Sequence, residues 1–361
     1  MNVLSLFDGM GCGRLALDRA NISVGKYYAS EIDKYAIKVA QANYPNTVQL
    51  GDVTKWKEWD IDWSSIDLLI GGSPCQGFSY AGKQLAFDDP RSALFFVYID
   101  ILNHIKSVNP SVRFMLENVK MKKDYLDVIS EQLGVEPVFI NSALVSAQNR
   151  QRYYWCNWGV SQPEDKAIKA SSIIDKSDLT VNGKAWQRWW IENKDYQLKK
   201  QYCKYLNQSE KSITQTARQV SSWNGSLVEH SKGVRFLSVI EAERLQTVPD
   251  NYTNHVSNTQ RYKMLGNGWT VDVIAHIFSC MATQVLFKGG SVMQELGKAV
   301  RFYYSNEVDA QTTINYKKNG NKVPNSDGTR PLMTLSDFPK DIDYQVHIDY
   351  ANKLLEQIGY A

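Results

Sequence analysis

The 361-residue chain is short of the features that staple small or secreted folds: it has five cysteines, an odd number, and no two stand at CxxC spacing. That speaks against a disulfide framework and against a cysteine zinc cluster, and leaves reduced thiols as the simpler expectation. No stretch approaches about 18 uncharged apolar residues, so no membrane helix is expected. The opening MNVLSLFDGMG has no basic segment before its apolar run, which argues against a secretory leader and for a cytoplasmic protein. An excess of one charge sign is also missing overall, the formal net charge being +3. The imbalance is local: residues 1–155 carry 16 basic and 17 acidic side chains, residues 156–235 carry 13 and 8, and residues 236–361 carry 12 and 13. A basic middle segment suits a face turned toward a phosphate backbone, although a solvated lysine-rich surface has the same composition.

What is present is an ordinary globular mixture, 43% hydrophobic, long enough for one large domain and a smaller one. Short apolar runs at Val3–Leu6, Tyr27–Ser30, Val48–Leu50, Leu68–Ile70, Phe114–Leu116 and Val138–Ile140 read as buried strands. Between them Arg14–Ala20, Asp33–Asn43, Ser92–Ser107 and Lys123–Leu133 have helical spacing. The alternation predicts an α/β fold with a mainly parallel sheet and helices on both faces, its ligands at the carboxyl ends of the strands. From about Asn157 the pattern breaks down, and residues 157–232 show short segments with no sustained period, as a small inserted domain would. Leu237–Leu245 and Val271–Phe278 look helical and are expected to return to the sheet. Residues 286–361 form a further stretch with a turn-rich centre, Lys317–Arg330, and an amphipathic helix near Tyr344–Ile358.

Four strand-end loops carry the chemistry. In the first, Phe7-Asp-Gly-Met-Gly-Cys-Gly13, glycines let the backbone turn and approach a ligand, though such a loop taken alone fits a plain connection. Glu31, at the end of the next strand, can bind both hydroxyls of a ribose, and Asp52, after the third, can accept from an adenine amino group. No GK[ST] phosphate loop accompanies them, so a nucleoside without phosphates fits better than ATP. After the fourth strand, Gly71-Gly-Ser-Pro-Cys-Gln-Gly-Phe-Ser79 puts Cys75 behind a proline on a polar loop, where a thiol can serve as a nucleophile. Glu117 ends an apolar strand, a costly place for a carboxylate without a partner or a task; a helix cap or buried ion pair would also account for it. Arg150 and Arg152 stand two apart on a strand, and so on one side of it.

In order, these strings resemble the cytosine-5 DNA methyltransferases, over about residues 1–282. Phe7-Asp-Gly-Met-Gly11 looks like that family's methyl-donor loop, Ser30-Glu-Ile-Asp33 and Gly51-Asp-Val53 like its ribose and adenine contacts, and Gly72-Ser-Pro-Cys-Gln76 like its nucleophile loop. Glu117-Asn-Val119 is similar to the family's acid motif and Gln148-Asn-Arg-Gln-Arg152 to its paired arginines. Arg235-Phe-Leu through Glu243-Arg-Leu-Gln-Thr-Val-Pro249 resembles the segment supporting the target recognition domain, and Gly266-Asn-Gly-Trp269 the last motif. Phe-Asp-Gly, a short recognition domain and the final Trp resemble the compact de novo type, whereas Gln-Gly-Phe-Ser after Cys75 is the bacterial form, which implies a bacterial or phage source.

The resemblance implies a Rossmann-like S-adenosylmethionine-dependent domain (1–156, returning at 233–285), a recognition domain (157–232) and an extension (286–361). It implies methyl transfer from S-adenosylmethionine, without a metal, to carbon 5 of a flipped cytosine in duplex DNA. Cys75 is then the nucleophile and Glu117 the acid; Arg152 holds the base carbonyl, and Arg150 contacts a phosphate or braces the loop. The donor is expected at Leu6, Phe7, Asp8, Gly9, Met10, Gly11, Glu31, Ile32, Asp52, Val53, Pro74, Leu94 and Asn267, with Trp269 stacked near the adenine. Gln76, Ser79, Lys83 and Gln84 belong to a loop placed to close over the flipped base. In the recognition domain Arg188, Lys199, Lys200, Lys204 and Lys211 suit phosphates, while Arg218, Ser221 and Asn224 suit base edges; Trp186, Trp189 and Trp190 form either an aromatic contact surface or that domain's core. A companion restriction endonuclease is a further expected partner. A transfer RNA substrate and a non-catalytic DNA-binding regulator are the rival readings, the first lacking the Cys-Phe-Thr string of its branch and the second at odds with an intact donor loop and nucleophile.

Overall fold

The computed structural model describes residues 1–74, 93–178, 180–218 and 225–287. The chain divides into two compact units, Met1–Gln284 and Val285–Ala361. The turn-rich segment and terminal helix expected in the second, like Cys75, Gln76, Ser79, Lys83, Gln84, Ser221 and Asn224 in the first, lie outside the described residues.

The six apolar runs and the segment that follows Arg150 form seven strands of one sheet: β1 (Val3–Leu6), β2 (Tyr27–Ser30), β3 (Val48–Gln49), β4 (Leu68–Gly71), β5 (Arg113–Val119), β6 (Pro137–Asn141) and β7 (Gln151–Cys156). Their order is β3-β2-β1-β4-β5-β7-β6. β1 through β5 pair in parallel, and β7 runs antiparallel to both β5 and β6. The fold is Rossmann-like α/β, as the strand–helix alternation predicts. β1, β2 and β4 are buried along their whole length, which is why they read as unbroken apolar runs. β3 departs from the expectation of a buried strand: it is a two-residue edge strand with Val48 44% exposed, because no further strand covers it.

The helices α1 (Cys12–Arg19), α2 (Lys34–Asn43), α3 (Ala93–Val108) and α4 (Lys123–Leu133) supply apolar residues to two core clusters containing opposite-facing strand residues. Met115 and Ile70 belong to one, Leu116 and Leu69 to the other, as the alternation of strand side chains requires. Asp33 caps α2 by accepting from the Tyr35 N–H, which ends the preceding loop one residue later than helical spacing alone suggests. α1 begins two residues earlier than expected, so Gly13 lies inside the helix. Its lack of a side chain serves packing there: a Cβ would stand 2.5 Å from the Ile70 Cδ1.

The inserted segment holds a helix that its sequence conceals, α5 (Lys184–Lys199), followed by β8 (Cys203–Tyr205), β9 (Gly225–His230) and β10 (Gly233–Phe236) in a separate sheet of order β10-β9-β8. Only Trp186, Trp190 and Gln197 of α5 are buried, so its apolar stripe is too sparse to show a period. Trp186 and Trp190 stack with centroids 5.5 Å apart, and the Trp190 N–H donates to the Tyr205 hydroxyl at 3.0 Å. With Cys203, Leu227 and Val234 they make a local core, the second of the two roles open to these tryptophans.

The chain returns through α6 (Val239–Leu245), α7 (Asn258–Asn267) and α8 (Val271–Phe287). α6 opens with a capping box of Ser238 and Glu241. Glu241, fully buried, also accepts two hydrogen bonds of 2.8 Å from the buried Arg235 guanidinium. Arg235 therefore adds nothing to the basic surface counted from the sequence. Arg235→Leu strands the Glu241 carboxylate, and unfolding free energy is expected to fall by about 3–5 kcal/mol, with partial recovery in the Arg235→Leu/Glu241→Leu double variant. Urea midpoints check this, and an unchanged midpoint in the single variant contradicts it.

Candidate active site

In an open α/β sheet, the crevice lies where neighbouring strands send their connections to opposite sides. Here that point falls between β1 and β4, whose ends are aligned with Leu6 opposite Gly71. The chain leaves β1 through Phe7, which adopts a left-handed conformation (φ 57°) that side chains with a Cβ rarely take. The Asp8 N–H then donates to the Ser30 carbonyl at 3.2 Å, and the Gly9 N–H donates to Glu31 Oε2 at 2.8 Å. Gly9 (φ 63°) and Gly11 (φ 84°) complete the turn into α1.

The residues expected around a nucleoside do meet at this edge, with differing freedom. Glu31 Oε1 accepts the N–H groups of Ile32 and Asp33 at 2.7 and 2.8 Å, which orients the carboxylate. Ile32 is 76% exposed, an apolar side chain left in the open beside it. Asp52 caps the short helix Val53–Glu58 and accepts from the Thr54 N–H and hydroxyl, which lowers its pKa. Leu6, Met10 and Val53 point their side chains into the core, so only their backbone can face a ligand. Pro74 and Leu94 are half-buried and Asn267 is exposed at the end of α7. Asp8 is the polar residue set deepest: the Tyr27 hydroxyl donates to Oδ1 at 2.7 Å, while Oδ2 is buried without a partner among the described residues. Burial pushes its carboxyl up to about 6, against the opposing pull of its hydrogen bonds.

Glu117, 9% exposed, stands at the end of β5 one strand further on. Arg152 Nε lies 2.9 Å from its Oε1, and the Trp269 indole N–H donates to its Oε2 at 3.0 Å. Of the local alternatives for this carboxylate, the ion pair is present. The neighbouring Asn118 is a residue that motif matching passed over. Its amide lies 3.3 Å from the Ser73 hydroxyl and 3.5 Å from the Ser73 carbonyl, so β5 steadies the base of the loop that leads to Cys75. The Glu-Asn pairing was its only sequence signal.

The two arginines do separate work. Arg150 is 3% exposed and donates to the carbonyls of Gln215, Gly266 and Gly268 at 3.0, 3.1 and 2.8 Å. A guanidinium so enclosed braces the loops rather than meeting a phosphate, the second of the two roles open to it, and it does not stand among the residues that touch substrate. Lys211 is corrected in the same way: its ammonium donates to the carbonyls of Ala143, Ser146 and Ile168, and burial lowers its pKa. Arg188, Lys199, Lys200 and Arg218 are exposed, and Lys204 is half-buried.

Gly72 shows why no side chain is tolerated at this edge. A Cβ there would lie 2.8 Å from Glu117 Oε2 and 3.0 Å from Trp269 Nε1. The two glycines before Ser73 therefore serve close approach, Gly71 likewise meeting the Leu6 carbonyl and the Tyr98 ring at 3.1 Å.

The sheet order, the crevice between β1 and β4 and the paired acid at its edge define a Rossmann-like α/β enzyme. Comparison with known proteins narrows it. The C-5 cytosine-specific DNA methylase family matches residues 1–156 and 140–283. The type II methyltransferase M1.ScrFI of Lactococcus lactis subsp. cremoris is 34% identical over 315 residues, 79% of each chain. M.NlaX of Neisseria lactamica is 33% identical over 300 residues, 76% of this chain and 94% of that one. The solved structure of the Entamoeba histolytica methyltransferase EhMeth shares the fold with a TM-score of 0.62 at 17% identity, covering 79% of this chain and 98% of that one. The chain belongs to the C-5 cytosine-specific DNA methylase family. It is a DNA methyltransferase acting at carbon 5 of cytosine. Among the described residues no helix is long and apolar enough to cross a membrane, and no group of three or more His, Cys, Asp or Glu side chains could hold a metal.

Two outcomes are expected. Gly72→Ala pushes Glu117 and Trp269 apart and should lower kcat at least tenfold with little change in thermal midpoint; wild-type kcat would contradict the close approach. Asp8 gives the second. Its folded value near 6 exceeds the ordinary 3.8, so its contribution to stability is complete below about pH 4 and lost as pH rises through 6. Urea midpoints of the wild type should fall across that window relative to Asp8→Asn, and parallel curves would refute the assignment.

Proposed function

We propose that the crevice holds S-adenosylmethionine and that the chain methylates a cytosine turned out of duplex DNA through a transient bond to Cys75. The observation that carries the reading is the juxtaposition of Glu117, Arg152 and Trp269 at the edge where the loop to Cys75 begins.

The residues present suit the donor. Asp8 Oδ2, buried with no partner among the described residues, can accept from a cationic or N–H group, and a Cβ at Gly9 would meet none of the described atoms within 4 Å. Glu31, which accepts three backbone N–H groups, keeps a lone pair on Oε2 for a ribose hydroxyl and Asp52 its Oδ2 for the adenine amino group, with Ile32 as an apolar wall. When bound, the donor supplies an electrophilic methyl group on a sulfonium.

The chain's own residues prepare the acceptor. Carbon 5 of cytosine is weakly nucleophilic, so the Cys75 thiolate adds to carbon 6 and pushes electron density onto carbon 5 and ring nitrogen 3. Glu117 in its protonated form hydrogen-bonds nitrogen 3, where charge develops. Arg152, half-buried beside it, turns to the carbonyl oxygen on carbon 2, and Arg150 holds the surrounding carbonyls still. Loss of the proton from carbon 5 then expels the thiolate. None of this is reachable inside a duplex, so the base is flipped at a cost of a few kcal/mol.

The exposed Arg188, Lys199, Lys200 and Arg218 supply charge for the DNA backbone and bases. The segment Ser212–Gln215 supports this placement, since it runs beside Gln148 and Asn149 and offers Arg150 a carbonyl three residues before Arg218. The cytoplasm of a bacterial or phage-infected cell is the proposed location, and a restriction endonuclease of matching specificity the proposed companion.

A duplex carrying 5-fluorocytosine at the target base, incubated with S-adenosylmethionine, is expected to give a denaturant-stable protein–DNA adduct. Cys75→Ser should give none and lose methyl transfer, while its donor affinity stays within a few fold. Trapping by the serine variant, or methylation of bulk transfer RNA in preference to duplex DNA, would defeat the reading.

A further inference from the structure

Trp269 reaches more of this site than a stacking platform would. Its ring lies against α1, where a Cβ on Gly13 would come within 3.5 Å of Cζ3, and its carbonyl accepts from the Cys12 thiol at 3.9 Å. Arg150 fixes the backbone just before it through the carbonyls of Gly266 and Gly268. The indole nitrogen, meanwhile, is committed to Glu117 Oε2.

That commitment has a chemical consequence. An indole N–H can only donate, so Oε2 must act as the acceptor. In a neutral carboxyl group one oxygen carries the hydrogen and the other behaves as a carbonyl. While the ion pair stands, Oε1 accepts as well, from the Arg152 Nε–H at 2.9 Å. Once Arg152 swings to the substrate carbonyl, Oε1 loses its donor while Oε2 keeps the Trp269 N–H, so a proton taken up from solvent settles on Oε1 and can be offered to the base.

We propose that Trp269 is a positioning residue for Glu117: by occupying Oε2 it places the acid's hydrogen on Oε1 and aims it at ring nitrogen 3 of the cytosine. The role rests on the reading of Glu117 as the acid of the methylation reaction. It also ties the end of the donor loop to the base pocket through one rigid ring.

The test replaces Trp269 with β-(3-benzothienyl)alanine, which keeps the bicyclic shape and exchanges N–H for sulfur, alongside Trp269→Phe. Under saturating DNA and donor, kcat should fall about tenfold or more in both, the loss expected for a hydrogen bond to a charged or polarised group. Donor dissociation constant, KM for DNA and thermal midpoint should stay within threefold or unshifted for the analogue. In a Glu117→Gln background the analogue should cost less than threefold further, because the group it positions has been removed. A kcat within twofold of wild type overturns the proposal. So does a full additional loss in the Glu117→Gln background, or a donor affinity weakened more than tenfold with kcat intact, which would assign the ring to the adenine alone. Failure of the wild type to form the 5-fluorocytosine adduct is a separate result and strikes the proposed function instead.

Discussion

The carboxylate of Glu117 is the point at which three distant parts of the chain are made to agree. β5 carries it, β7 brings Arg152 to one of its oxygens, and the turn after α7 brings Trp269 to the other. A charged or proton-bearing group that is nine-tenths buried is tolerated only with such partners, and each partner in turn needs its own support. Gly72 must have no side chain for the pair to fit, and Arg150 must hold the Gly266–Trp269 segment in place. Much of the apparent redundancy of polar residues around the site is support of this kind.

The polar groups behind the site follow the same logic. Gln246 accepts from Gln148 and Thr270 at 3.0 Å and donates to the Leu265 carbonyl at 2.6 Å, all in the interior. Glu243, fully exposed to none of the solvent, takes the N–H groups of Asn251 and Thr253 and the guanidinium of Arg261. Satisfied networks of this sort lock one arrangement of loops, which suits a site whose donors must already be in place when charge develops. The inserted small sheet is anchored differently. It has an aromatic core of its own; the run Ser212–Gln215 lies beside Gln148 and Asn149 ahead of β7, and the buried Arg235–Glu241 pair ties β10 to α6.

Several residues changed meaning once neighbours were known. Lys211 and Arg235 counted as basic surface in the composition, yet both are spent on buried acceptors. Gly13 read as a turn glycine near a ligand and lies instead inside α1, packed against Ile70, and Gly72 is a site of close approach to Glu117 and Trp269. Leu6, Met10 and Val53 belong to strings expected to face a ligand, but their side chains face the core. Asn118, which no motif singled out for a role, steadies the loop before Cys75.

What the amino-acid order determined by itself was local and periodic. Buried parallel strands must be apolar throughout, helices over them must repeat, and strand-end loops must carry glycine and acid where a nucleoside approaches, so the sheet, the crevice and the motif residues were legible in one dimension. What only the tertiary structure decided was pairing between residues far apart in the chain: which guanidinium meets Glu117 and which is enclosed by carbonyls, which oxygen of Glu117 meets Trp269, and where α5 lies, with three buried side chains too few to announce it. A hydrogen bond depends on distances of about 3 Å between specific atoms, and no pattern along a sequence encodes a distance between positions 117 and 269 until the strands have been laid side by side.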